Sequence, residues 1–233
     1  MKNIVLILLS TLAAVPAFSS ELHSDKVGAE FMLDEFEYRS QPGENPVAWS
    51  AAISVGTENR QLWLISEGER TRGRLDSNEL RAYYSHRMQP DWYINVGWRG
   101  DIKPEPERKW FLLGVEGSVP YDIGMAFSLY SGDDGDTAIR FELEREFNLA
   151  RDWMLTPQIK VNGYGQNDPE TGTGSGLADF EFAVRLAYEL SPAVVPYIGA
   201  IWAKPYGQTA DYARAEGEGG STTQVLFGVS LQF

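Results

Sequence analysis

The sequence predicts an all-β fold: a transmembrane, up-and-down antiparallel β-barrel of about twelve strands, placed after a signal peptide. Three observations carry this. Apolar and polar residues alternate with a period of two in segment after segment. The connections between segments alternate between short and long, as in outer-membrane barrels, where tight periplasmic turns alternate with longer outer loops. And beyond the first twenty residues no apolar run approaches the ~20 residues of a membrane-spanning helix, so a membrane location has to come from strands.

Taken in order, Met1-Lys2-Asn3 is a short basic start, Ile4 to Val15 is mostly apolar, and Pro16-Ala17-Phe18-Ser19-Ser20 supplies small residues for cleavage. That is the pattern of a secretory signal peptide over 1–20, too short for a membrane span. A short periplasmic segment over 21–28 follows, and the barrel occupies 29–233. Its strands are expected at 29–40, 47–56, 60–69, 78–89, 91–101, 108–118, 121–131, 136–147, 152–163, 177–190, 193–203 and 222–233. Most are near the ~9–11 residues a tilted strand needs to cross a bilayer.

The alternation is plain in several of them. Trp92, Ile94, Val96 and Trp98 oppose Tyr93, Asn95, Arg99 and Asp101; Ile139, Phe141 and Leu143 oppose Arg140, Glu142 and Glu144. Ile123, Met125, Phe127 and Leu129 oppose Gly124, Ala126 and Ser128. Trp153, Leu155, Ile159 and Val161 oppose Thr156, Gln158, Lys160 and Asn162. Phe180, Phe182, Val184 and Leu186 oppose Asp179, Glu181, Arg185 and Glu189. The last strand carries Val225, Phe227, Val229, Leu231 and Phe233 on one face and ends on an aromatic residue.

Solvent decides which face is which. Apolar stripes face lipid, and the lumen receives Glu35, Glu37, Arg39, Arg81, Tyr83, Arg99, Asp101, Arg140, Glu142, Glu144, Lys160, Asp179, Glu181, Arg185 and Glu189. A basic side chain on the lipid face would cost roughly 2–4 kcal/mol near the midplane. These charges either bind a cation and set the selectivity of a pore, or neutralise one another as a plug. Short turns are expected at Thr57 to Asn59, Gln89-Pro90, Val119-Pro120, Asn148 to Arg151 and Ser191-Pro192. Longer connections are expected at Ser40 to Pro46, Gly68 to Ser77, Asp101 to Glu107, Ser131 to Gly135, Gly163 to Gly176 and Lys204 to Gly220.

Composition narrows the functions. The formal charge of −13 argues against a nucleic-acid partner. With no cysteine, neither disulfides nor thiolate metal sites can form. Seven Trp and eleven Tyr suit an interfacial aromatic girdle. The two histidines are His23, in the segment before the barrel, and His86. His86 and Met88 share a strand face and form a candidate two-ligand metal contact near a tight turn. Ser85 points away from His86, which leaves no Ser–His pair for hydrolysis, and no enzyme is expected. Ser131 to Asp136 is acidic but lacks the spacing of a calcium loop. Gly172, Gly174 and Gly176 have no strand-to-helix context for a dinucleotide and read as flexible loop.

Several stretches resemble the copper resistance protein B family of Gram-negative outer-membrane proteins. They are Asp34 to Arg39, Asn59 to Glu69, Pro120-Tyr121, Asp168 to Leu177 and Pro196 to Gly199. The resemblance implies an outer-membrane barrel, set in outer-membrane lipid, that serves copper resistance and homeostasis by copper ion binding or passage, with copper as bound ion and periplasmic copper proteins as partners. Many members carry a Met/His-rich extension before the barrel, whose thioether and imidazole groups suit copper; here only Glu21 to Asp25 precedes it. The alternative is a porin-like or structural barrel with no preference for metal.

Overall fold

The computed structural model describes residues 26–40, 45–133, 135–217 and 220–233; the segment expected to be a signal peptide and His23 lie outside the described residues. The strands are β1 (Gly28–Ser40), β2 (Val47–Thr57), β3 (Arg60–Thr71), β4 (Arg74–Gln89), β5 (Trp92–Lys103), β6 (Arg108–Val119), β7 (Ile123–Gly132), β8 (Thr137–Arg145), β9 (Phe147–Ala150), β10 (Trp153–Tyr164), β11 (Gly176–Tyr188), β12 (Val194–Pro205) and β13 (Thr222–Gln232). β8 and β9 both pair with β10 and act as one stave broken at Glu146. The barrel therefore has twelve staves, each antiparallel to its neighbours in sequence, and β1 closes on β13.

Closure is secured at both ends of the chain. Phe31 and Phe233 exchange backbone hydrogen bonds of 3.0 and 2.9 Å, and their rings stack at 6.4 Å. β1 carries a bulge: its register moves from Leu33 opposite Ala51 to Glu35 opposite Ser50, which leaves Asp34 as the extra residue. A bulge bends and twists its strand, and here it brings two acidic residues together.

The outward faces form the apolar belt that lipid requires. Phe36, Ile53, Leu64, Phe111, Leu113, Ile139, Ile198 and Phe227 are all exposed, an apolar outer face of the kind that hydrocarbon covers in membrane barrels. The inward faces are filled. Met32, Trp63, Ile65, Tyr83 and Leu112 pack in one cluster, and Ile201, Leu226, Tyr197, Ala183 and Ala187 in another. Three aromatic rings lie over glycines directly across a strand pair, where an added Cβ would come within 2.3 Å of Trp49 at Gly68, 2.6 Å of Trp92 at Gly117 and 2.5 Å of Tyr197 at Gly228; at Gly97, opposite Tyr83, it would meet the Tyr83 Cα and Cβ at 2.4 Å.

The two rims differ as the connection lengths predict, with three corrections. The long connection expected over 68–77 is mostly strand: β3 and β4 run on to a two-residue turn, Arg72-Gly73, with φ of 50° and 89°. Positive φ at both central residues matches the twist of a hairpin, and glycine takes the second place without a steric cost. The turn expected over 148–151 is largely strand β9. The last long connection holds a helix, α1 (Gly207–Ala215). The remaining connections divide into a turn end and a loop end, the latter carrying 104–107, 133–136, 165–175 and 206–221.

Candidate functional site: a charged lumen and its vestibule

Alternation along each strand turns the charged side chains inward, where they meet both along single strands and across the barrel. Arg185 on β11 donates to Glu37 and Glu35 on β1, both at 2.7 Å, and to Gln158 at 3.0 Å. Arg39 donates to the other oxygen of Glu37 at 2.9 Å and to Glu69 at 3.3 Å. Glu37 is 0 % exposed and is held between the two guanidinium groups.

A second group centres on Glu79. Arg140 grips it with two hydrogen bonds of 2.9 and 2.8 Å, while Arg81 and Arg99 approach it at 3.0 and 2.9 Å. Arg99 also donates to Asp101 at 2.7 Å, and the Tyr130 ring lies 4.7 Å from its guanidinium carbon. Arg140 continues to Asn162, which donates to Asp179. Arg81 binds Glu67, and Lys160 stands 3.6 Å from both Glu67 and Glu142. Charge-assisted, bidentate pairs of this kind are the strong ones, and in a dry lumen each protects its partner from an unpaired burial.

Of the residues named from sequence, the ion-paired charges above and Tyr83 lie in the lumen, with Glu144 buried beside them, and Glu189 lies past β11 at the turn end near Glu146. Sequence reading missed Glu67, Glu69, Glu79 and Asp34. On β3 the inward Trp63 and Ile65 and the outward Leu62 and Leu64 are all apolar, so no alternation marks Glu67 as inward. Glu79 was within reach, two residues before Arg81. His86 and Met88 point the other way: Arg81, Tyr83 and Ser85 face inward, so Tyr84, His86 and Met88 face outward near the turn end, with the Tyr84 and His86 rings stacked at 6.4 Å. Among the described residues no three His, Asp or Glu side chains converge closely enough to chelate a bare metal ion.

Above the ion pairs the lumen opens into a vestibule of about 310 Å³ at the loop end, lined by Glu35, Ser50, Glu67, Glu69, Lys160 and Glu181 among others. Six mid-lumen cations (Arg39, Arg81, Arg99, Arg140, Lys160 and Arg185) stand among at least ten carboxylates: Glu35, Glu37, Glu67, Glu69, Glu79, Asp101, Glu142, Glu144, Asp179 and Glu181. The loop over 165–175 reaches over the rim. Arg108 donates to Asp168 at 2.8 Å and to Glu170 at 3.0 Å. The glycine run expected to be flexible is tied down instead: Asp168 and Thr173 exchange backbone bonds of 2.7 and 2.9 Å, and Gly174 donates to Thr209 of α1 at 2.8 Å. Burial raises the Asp168 carboxyl, but hydrogen bonds from Arg108 and Thr171 outweigh it and hold the group below its ordinary value of 3.8.

A closed twelve-stave barrel with an apolar outside and a charged inside is a membrane β-barrel of the outer-membrane type. Two solved structures share that architecture: the NanC porin, at 15% identity with a TM-score of 0.56, covering 88% of this chain and 99% of its own, and the KdgM porin, at 14% with a TM-score of 0.55, covering 87% and 99%. The family model described as "Copper resistance protein B precursor (CopB)" matches residues 28–233, the whole barrel. The Copper resistance protein B homolog of Pseudomonas syringae pv. tomato is 35% identical over 213 residues, 91% of this chain and 72% of that protein. Copper resistance protein B of Escherichia coli is 32% identical over 212 residues, with the same coverage. The chain belongs to the copper resistance protein B family.

Proposed function

We propose that this protein is an outer-membrane barrel of copper tolerance, with its loop end outside and its turn end in the periplasm, that takes up copper ions as cations in the acidic vestibule and does not conduct as an open pore. One observation carries the reading: the ion pairs from Arg185 to Glu37 and from Arg140 to Glu79 cross the lumen below a vestibule in which carboxylates outnumber cations. Family membership supplies copper as the ion. An excess of fixed negative charge in a low-dielectric cup raises the local concentration of cations.

The test is copper analysis on the folded, purified barrel after dialysis, beside single-channel recording in a planar bilayer. Copper retained above a porin control, with no steady conductance, is the expected result. Steady conductance without retained copper would establish the second reading, a porin-like barrel with no preference for metal, which the shared architecture with the NanC and KdgM porins supports at the level of fold. Copper sensitivity of a strain lacking the gene, with unchanged uptake of neutral solutes, gives the cellular form of the same test.

A further inference from the structure

On the floor of the vestibule three neighbouring strands present one row of oxygens. Ser50 on β2 lies opposite Glu35 of β1 on one side and opposite Glu67 of β3 on the other. Directly opposed residues in a sheet have Cβ atoms about 4.5–5.5 Å apart, so the three side chains are in reach of a single guest.

Each of the two carboxylates has one oxygen engaged and one held loosely. Glu35 accepts from Arg185 at 2.7 Å through Oε1, whereas its Oε2 has only Arg39 at 3.6 Å. Glu67 gives Oε1 to Arg81, whereas its Oε2 has only Lys160 at 3.6 Å. Between them the Ser50 hydroxyl, on a residue 4 % exposed, has no hydrogen-bond partner. A buried hydroxyl without a partner costs stability, and a native structure rarely leaves one unless something else satisfies it. Asp34, the extra residue of the β1 bulge, adds a fourth oxygen group. It makes no hydrogen bond or ion pair among the described residues, and its charged neighbours are Glu35 and Glu67.

From this arrangement we infer a binding site for a hydrated, hard divalent cation of the magnesium type, seated over Ser50 between Glu35 and Glu67 and held from below by Asp34. Hard cations take oxygen ligands, and magnesium keeps several of its waters while leaning on one or two carboxylates. Such an ion does not need the carboxylates to converge to chelating distance, and they do not. Its charge offsets part of the surplus of mid-lumen carboxylates, and one of its waters satisfies the Ser50 hydroxyl. The site shares Glu35, Ser50 and Glu67 with the vestibule of the copper reading, but it is tested with magnesium alone, so it stands or falls separately from that reading.

The experiment is equilibrium dialysis of the full barrel, refolded into detergent free of lipopolysaccharide, against magnesium chloride with the metal measured by atomic emission. The expected result is about one ion per barrel, weakened about tenfold or more in Asp34→Asn and measurably in Ser50→Ala. Neither substitution removes a lumen bond, so both variants fold. A double variant, Asp133→Asn/Asp136→Asn, controls for the acidic outer loop and keeps wild-type binding. Binding lost only in the loop variant, or no stoichiometric binding in the wild type, overturns the assignment. Magnesium binding unchanged in both Asp34→Asn and Ser50→Ala also overturns it.

Discussion

Replacing Arg185 with Met is the sharpest perturbation available to the lumen. The side chain spans from β11 to β1 and gives three hydrogen bonds, two of them to carboxylates at 2.7 Å. Removing one partner of a buried pair costs about 3–5 kcal/mol, chiefly because the remaining charge is stranded. Glu37 keeps Arg39 at 2.9 Å, so the low end applies. About 3 kcal/mol is a factor of roughly 10² in the unfolding equilibrium. Urea unfolding in micelles, followed by fluorescence of the seven tryptophans, measures it. The double variant Arg185→Met/Glu35→Gln discharges the carboxylate left with only Arg39 at 3.6 Å and recovers more than half of the loss. A single variant within about 1 kcal/mol of wild type would refute the reasoning, since the pairs would then be solvated and the lumen open.

Three more outcomes follow from particular contacts. Gly97→Ala destabilises by about 1–3 kcal/mol, because the new Cβ meets the Ala82 carbonyl oxygen at 2.2 Å and Tyr83 Cα at 2.4 Å; the same urea titration reads it, against Gly28→Ala as a control, where an added Cβ meets nothing within 4 Å. Because Asp168 is held below 3.8 in the folded protein, its contribution is present above that pH and is lost as pH falls through the lower folded value; exchange protection of the Thr173 amide, corrected for intrinsic rate, stays level from pH 7 to 4 and then drops. The double variant His86→Ala/Met88→Ala, on the lipid side of β4, leaves copper retention by the purified barrel unchanged; a loss would place a metal contact at the turn-end rim.

Much of this architecture was legible in the sequence because the bilayer enforces it. Where one face meets lipid and the other meets charge, as on β8 with Ile139 and Phe141 against Arg140 and Glu142, period two is unmistakable. Strand limits fell within four residues of those in the structure. The lumen was harder to read wherever protein fills it with apolar groups. Leu226 is apolar like the outward Val225 and Phe227 on either side of it, so nothing in its polarity marks it as inward, yet it is 0 % exposed against Ile201 and Tyr197. The turn at Arg72-Gly73 was hidden because strands that continue past the hydrocarbon no longer alternate in polarity. The charged residues were visible one by one; their pairing was not, since Arg185 meets Glu37 across 148 positions of sequence.

The seam between β1 and β13 has its own meaning for assembly. Every other stave joins its neighbour in the chain, but this junction unites the two ends of the barrel's chain, Phe31 with Phe233. Long-range pairing of this sort has to wait for the intervening chain and carries the largest entropy of closure. Its register also slips, between Leu33 and Glu37, as it passes the bulge that β1 shows against β2 as well. Last to zip and interrupted in its ladder, it is the gate through which the wall parts first when the protein is unfolded, and the line along which hydrogen exchange across the wall should begin.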